Sequence, residues 1–230
     1  MPVRPSLMRW AVPALFGVAA ASIAARTAND LAHALAHDSV RSWLVVSYGA
    51  LRTCVLAAFA VFTVGRAAPV ERTRSPLAFL ACAAAMATVL VFSAPTVHTP
   101  QGLLVAGEVI ALASCIWMLA SVLTLGRCFG VLPEARGLVT SGPYRLVRHP
   151  LYLGEIGACA GLAVAAASSA NAAAFATVLA AQMVRMRLEE RALTAAFPEY
   201  VDYAARTGRL LPRFWPRVKG IGHGRPATLA

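Results

Sequence analysis

The chain has 230 residues, of which 59% are hydrophobic and 13% charged, with a mean hydropathy of +0.65. Those proportions exclude an ordinary soluble domain. The net charge of +11 does not point to nucleic acid either, because the basic residues sit in loops between apolar runs and form no basic face on a soluble body.

Apolar runs cover about 10–25, 43–64, 77–95, 102–125, 151–168 and 170–186. A helix needs about 20 such residues to cross a bilayer core, so the first run and the last two are short. The last pair is joined only by Ser168-Ser169-Ala170-Asn171 and reads as a tight helical hairpin. The fold expected is all-α: a polytopic membrane bundle of about five or six transmembrane helices. The first run, with Arg4, Arg9, an Ala-rich core and Ser22–Ala25, also resembles a signal peptide, whose removal leaves the rest of the topology unchanged.

With the N-terminus inside, every one of the 21 basic residues falls on the cytoplasmic side except Arg26, Arg41 and Arg52. That bias places both termini in the cytoplasm. One lysine (Lys219) among many arginines and alanines fits a GC-rich bacterial genome, hence a bacterial cytoplasmic membrane. Arg52, Glu108 and Glu155 are embedded, and intramembrane charges are functional candidates by default. Arg52 and Glu108 lie at similar depths and read as an ion pair between spans two and four, while Glu155 is placed to line a site.

Gly157 and Gly161 form a small-residue step that suits packing within the last hairpin better than dimerisation. His33 and His37 share a helical spacing without a third ligand nearby and read as part of a solvated outer loop. The cysteines Cys54, Cys82, Cys115, Cys128 and Cys159 show no zinc spacing and argue against a disulfide framework. Cys128, alone in a loop, is the one plausible reactive thiol. No metal site is expected.

Two polar clusters stand out against this background. Gly137–Gly154 packs Thr140, Tyr144, Arg145, Arg148, His149 and Tyr152 among the turn-formers Gly142, Pro143 and Pro150. Irregular backbone at a membrane edge is tolerated where protein covers it or where it lines a cavity. The second cluster, Arg185–Arg191, follows after the hairpin. Arg185 and Glu189 share one helix face and form either an intrahelical ion pair or a cation and a carboxylate for ligands. The last helix continues to Phe197, and Pro198 starts a short helix bearing Tyr200 and Tyr203 that stops near Gly208. The chain thus divides into spans at 1–125, a site-forming region at 126–215 and a disordered tail at 216–230.

The succession Leu-Val-Thr-Ser-Gly-Pro-Tyr, Arg-His-Pro-Leu-Tyr-Leu-Gly, Arg-x-x-x-Glu-Glu-x-x-Leu and Phe-x-x-Tyr-x-x-Tyr over about residues 125–215 resembles the isoprenylcysteine carboxyl methyltransferase and phospholipid methyltransferase superfamily. The resemblance implies an integral membrane enzyme that uses S-adenosylmethionine without a Rossmann domain. It implies that Gly137, Leu138 and Val139 contact the cofactor largely through backbone, with Tyr144, His149, Pro150, Leu151 and Tyr152 completing the pocket. Glu189 then binds the cofactor from the other side, and Arg185 contacts the substrate. The residue before Leu-Val can be His in relatives and is Gly137 here. The acceptor implied is lipophilic, a carboxylate or a thiol, entering from the bilayer; membrane lipids are the other partners, and nucleic acid is not. The alternatives are a sterol-type NADPH reductase, which shares an Arg-His-Pro-x-Tyr-x-Gly-like element but carries more spans, and a non-catalytic membrane scaffold.

Overall fold

The computed structural model describes residues 5–71, 75–89, 92 and 99–213. The expected tail at 216–230, the end of the third apolar run and the basic residues Arg4, Arg72, Arg74, Arg217, Lys219 and Arg225 lie outside them. The described residues form an all-helical bundle: α1 (Pro5–His37), α2 (Val40–Val64), α3 (Pro76–Val89), α4 (Gln101–Leu125), α5 (Pro150–Ala166), α6 (Ser169–Ala196) and α7 (Tyr200–Arg206). Short 3-10 turns at Gly126–Cys128 and Gly142–Arg145 lie in the long α4–α5 connection.

Helices α1, α2 and α4 are long and apolar enough to cross a membrane, and the chain is an integral membrane protein. Helices α3 and α5 are apolar but shorter. Neighbouring pairs are α1 on α2, α2 on α4, α4 on α5, α3 on α6 and α5 on α6. A core of Phe16, Val55, Phe59, Cys115, Met118, Val122, Leu151 and Ala158 joins the spans. Phe129, from the loop after α4, stacks on Phe59 with ring centroids 4.7 Å apart, which fixes the start of the polar loop to the α2 wall.

Three expectations are corrected here. The outer segment around His33 and His37 is helix rather than loop: α1 runs on to His37, and only Asp38 and Ser39 separate it from α2. Ser39 explains the abrupt restart, since its hydroxyl accepts from Ser42 N at 3.1 Å while Ser42 Oγ accepts from Ser39 N at 3.2 Å, a reciprocal cap. The two histidine rings stack at 4.1 Å on the same helix face.

Glu108 pairs with Arg41 at 3.5 Å, not with Arg52. The two-residue turn brings Arg41 into the first turn of α2, beside the N-terminal end of α4, and leaves Arg52 about 16 Å further along the helix.

The small-residue step, finally, packs α5 on α4 and not within the α5–α6 hairpin. A Cβ on Gly161 would lie 2.5 Å from Gly107 O and 2.6 Å from Ala111 N, and one on Gly107 would lie 2.4 Å from Gly161 O. The two backbones are in direct contact, as small-residue faces permit in membranes. Gly161→Val is therefore expected to push α4 and α5 apart at a cost of about 1–3 kcal/mol. The detergent-solubilised variant should melt several degrees below wild type by near-ultraviolet circular dichroism; an unchanged melting curve contradicts the packing.

Candidate active site

The α4–α5 connection is held down at both ends and left free in the middle. Its first part is pinned to the α2–α3 linker: Ala67 N donates to Arg127 O at 2.8 Å, Val70 N to Ala135 O at 2.7 Å and Ala135 N to Glu71 O at 3.1 Å. Arg127 Nε donates to Gly65 O at 3.0 Å, and the Arg136 guanidinium bonds both Ala67 O and Glu134.

Its last part pairs with the chain after α7. Val147 and Gly208 form a parallel bridge, with Arg148 N donating to Gly208 O at 2.8 Å and His149 N to Arg209 O at 3.1 Å. Tyr203 OH donates to Tyr144 O at 2.7 Å. Between these anchors, the peptide groups of Gly137, Leu138, Val139 and Thr140 make no hydrogen bond among the described residues. Gly137, Leu138 and Val139 are partly buried and Thr140 is exposed, so the first three offer peptide groups to the space they line.

Glu190 ties the last anchor together. Arg209 grips it through Nε at 2.9 Å and Nη2 at 2.6 Å to Oε2, and Arg148 Nη1 lies 3.3 Å from Oε1. His149 Nε2 is 3.2 Å from the same oxygen; an ionised carboxylate only accepts, so the imidazole donates. Burial alone would raise the Glu190 pKa, but the bonds from His149 and Arg209 and the Arg148 charge outweigh it and hold the carboxyl at about 2.

The neighbouring Glu189 points elsewhere. Its Oε2 accepts from Tyr152 OH at 2.7 Å. The Arg185 guanidinium sits 4.7 Å over the Tyr152 ring and donates to Gln182 Oε1 at 2.8 Å and Val131 O at 3.0 Å, with Glu155 Oε2 at 3.4 Å. Arg185 and Glu189 therefore do not pair with each other, and Glu155 stands behind the site as the counter-charge of Arg185. Gln182 also donates to Glu155.

These walls enclose a narrow cavity of about 50 Å³ that opens to solvent. Gly137, Leu138, Val139, Tyr144, His149, Leu151, Tyr152, Arg185 and Glu189 all line it, so the two polar clusters do meet in one place. Pro150 stands behind the wall: it is fully buried, and its carbonyl accepts from Trp117 Nε1 at 2.9 Å. A Cβ at Gly137 would come within 2.6 Å of Cys128 Sγ, so a larger residue there requires Cys128 to move. Cys128 lines the cavity as well, and burial pushes its thiol pKa up, against activation as a nucleophile. Burial also raises the Tyr144 pKa, aided by the Glu189 charge, and keeps the phenol protonated.

The sequence did not single out Glu190, Arg209 or the roles of Tyr200 and Tyr203. Arg185 Nε, on the cavity wall, is buried without a hydrogen-bond partner among the described residues. Unsatisfied buried donors of this kind call for a ligand or water.

The described residues thus form a membrane helix bundle whose cavity is built from an inter-helix loop and C-terminal helices, with no strand layer among them. Residues 99–199 match the family model for phospholipid methyltransferases, and over that stretch the chain is similar to that family.

Three curated relatives are similar to it. The cobalt-zinc-cadmium resistance protein CzcN of Cupriavidus metallidurans is 40% identical over 43% of this chain and 46% of its own. The nickel-cobalt-cadmium resistance protein NccN of Alcaligenes xylosoxydans xylosoxydans is 35% identical over 44% of this chain and 53% of its own. Protein-S-isoprenylcysteine O-methyltransferase A of Arabidopsis thaliana is 36% identical over 40% and 51%, respectively. The chain thus spans about half the length of the curated relatives it matches.

Proposed function

We propose that the protein transfers a methyl group from S-adenosylmethionine to a lipophilic acceptor, a carboxylate or a thiol, at the cytoplasmic face of a bacterial membrane. One observation carries this reading: the peptide groups of Gly137, Leu138 and Val139, which bond no other described backbone group, share a cavity with the Glu189 carboxylate. A polar heterocyclic cofactor with a cationic centre and ribose hydroxyls matches that donor and acceptor set, so the residues present fit the group.

S-adenosylmethionine supplies an electrophilic methyl carbon on a sulfonium, and its displacement is in-line, so the protein's task is alignment and desolvation. The peptide groups of Gly137–Val139 and the Glu189 carboxylate, oriented by Tyr152, would hold the polar parts of the cofactor. Leu138, Val139, Tyr144 and Leu151 keep water from the reacting atoms. Arg185, locked by Gln182, Glu155 and Val131 O, keeps its unpartnered Nε for the anionic group of the acceptor. A carboxylate or thiolate needs no general base, whereas an amine would need a proton acceptor afterwards. The acceptor reaches the cavity laterally between helices, and the cofactor enters from the aqueous side.

The test is calorimetry on detergent-purified protein titrated separately with S-adenosylhomocysteine and NADPH. Saturable binding of the first alone is expected. Binding of NADPH alone points to a reductase of the sterol type, and binding of neither by folded protein points to a scaffold; both outcomes overturn the proposal.

A further inference from the structure

On the outer side of the Glu190 clamp lies an open groove that shares Arg148 and Tyr200 with the cavity and is otherwise lined by other residues. Arg148, Arg187, Arg191, Arg209 and Arg213 line it, and Glu190 is the one carboxylate among its lining residues. That carboxylate is already engaged by Arg148, His149 and Arg209. Arg187 and Arg191 stand one turn apart on α6, both exposed, and neither has an ion-pair partner among the described residues. Arg213 holds the opposite rim by donating to Ala205 O at 2.8 Å and Ala204 O at 3.4 Å, at the C-terminal end of α7. The acidic residues of α7's first turn region, Glu199 and Asp202, are exposed but do not line the groove.

The position of the groove is as informative as its charge. The apolar part of α6 ends at Met186, immediately before Arg187, which puts the arginines at headgroup level when the hairpin is embedded. Exposed Val201 lines the groove beside them. Arginine forks match phosphate oxygens in pairs, and basic clusters just beyond a membrane segment bind anionic lipids. We propose that this groove is a binding site for the phosphate of anionic phospholipid headgroups, centred on Arg187 and Arg191, which do not line the cavity.

Native mass spectrometry of the full chain in detergent, with dioleoylphosphatidylglycerol or dioleoylphosphatidylcholine added, tests it. Wild type should retain the anionic lipid preferentially. The double variant R187Q/R191Q should lose affinity by about fivefold per arginine removed, while the charge-matched control R26Q/R66Q should retain it. Neither Arg187 nor Arg191 lines the cavity, so calorimetric cofactor binding by R187Q/R191Q should match wild type and reports that the variant is folded. Equal retention of both lipids, equal loss in the control, or wild-type retention by R187Q/R191Q overturns the proposal. Displacement of the lipid by an equal concentration of inorganic phosphate does so too, since the site then serves free phosphate.

Discussion

Glu190→Ala is expected to be the most destabilising single change in the C-terminal half. The substitution strands Arg148, His149 and Arg209 around an empty centre, and removing one partner of a buried ionic cluster costs about 3–5 kcal/mol. Arg209 is nearly half exposed, with 42% side-chain accessibility, and can rehydrate, so the lower figure applies. For a chain of this size that corresponds to a melting temperature roughly 10 °C lower. Glu190→Gln keeps one acceptor oxygen in place and should fall between.

The same group dictates the acid response. Its folded pKa, about 2, lies below the ordinary 4.5. A depressed carboxyl pKa stabilises in full above the ordinary value and loses that contribution as pH drops toward the folded one. Wild type should therefore lose melting temperature between about pH 4.5 and pH 2 more steeply than Glu190→Gln, with a constant gap above that window. An alanine variant that melts with wild type, or parallel acid profiles for the glutamine variant, would show that the clamp does not hold the loop.

Glu189→Gln should do the opposite: leave the fold and weaken the proposed cofactor. The Tyr152 hydroxyl can still donate, to an amide oxygen instead of a carboxylate, so the side chain stays in place. What disappears is a charged acceptor inside the cavity, and hydrogen bonds to charged groups are worth about 1.5–3 kcal/mol. S-adenosylhomocysteine affinity should drop roughly 10- to 100-fold by calorimetry, with a melting curve close to wild type. Retained affinity removes Glu189 from the site. A collapse in melting temperature assigns it to structure, as Glu190 is assigned. Two adjacent glutamates with opposite signatures, one in stability and one in binding, make a paired control.

That adjacency also shows where sequence reading stops. Residues 189 and 190 are the same letter, about 100° apart on a helix, and only the positions of α7 and Gly208–Arg209 decide which faces the cavity. The cavity wall itself was legible: turn-formers interleaved with rings at a membrane edge have no apolar packing reason to be there, and eight residues of that stretch line one space. Pro150 was drawn in by its neighbours and turned out to be the helix start behind them.

The Arg52–Glu108 pairing failed on loop length, since the polar segment around His33 and His37 looked like a loop and was in fact the end of a 33-residue helix. Polar residues mark water, not irregular backbone. The glycine step failed for a different reason. Its spacing shows that some helix approaches closely but carries no information on which one, and α4 competed successfully with the sequence neighbour α6.

The bridge from Val147 to Gly208 has a consequence for biosynthesis. Proteins leave the ribosome from their N-terminus, and all of the membrane-embedded helices precede Gly208 in the chain. Insertion is thus complete while the loop at 137–149 still lacks the strand that closes it, and pocket assembly is the last event of synthesis. A product truncated before Gly208 enters the bilayer like the full chain yet carries an open, unclamped loop, which is the form that membrane quality-control proteases are suited to detect.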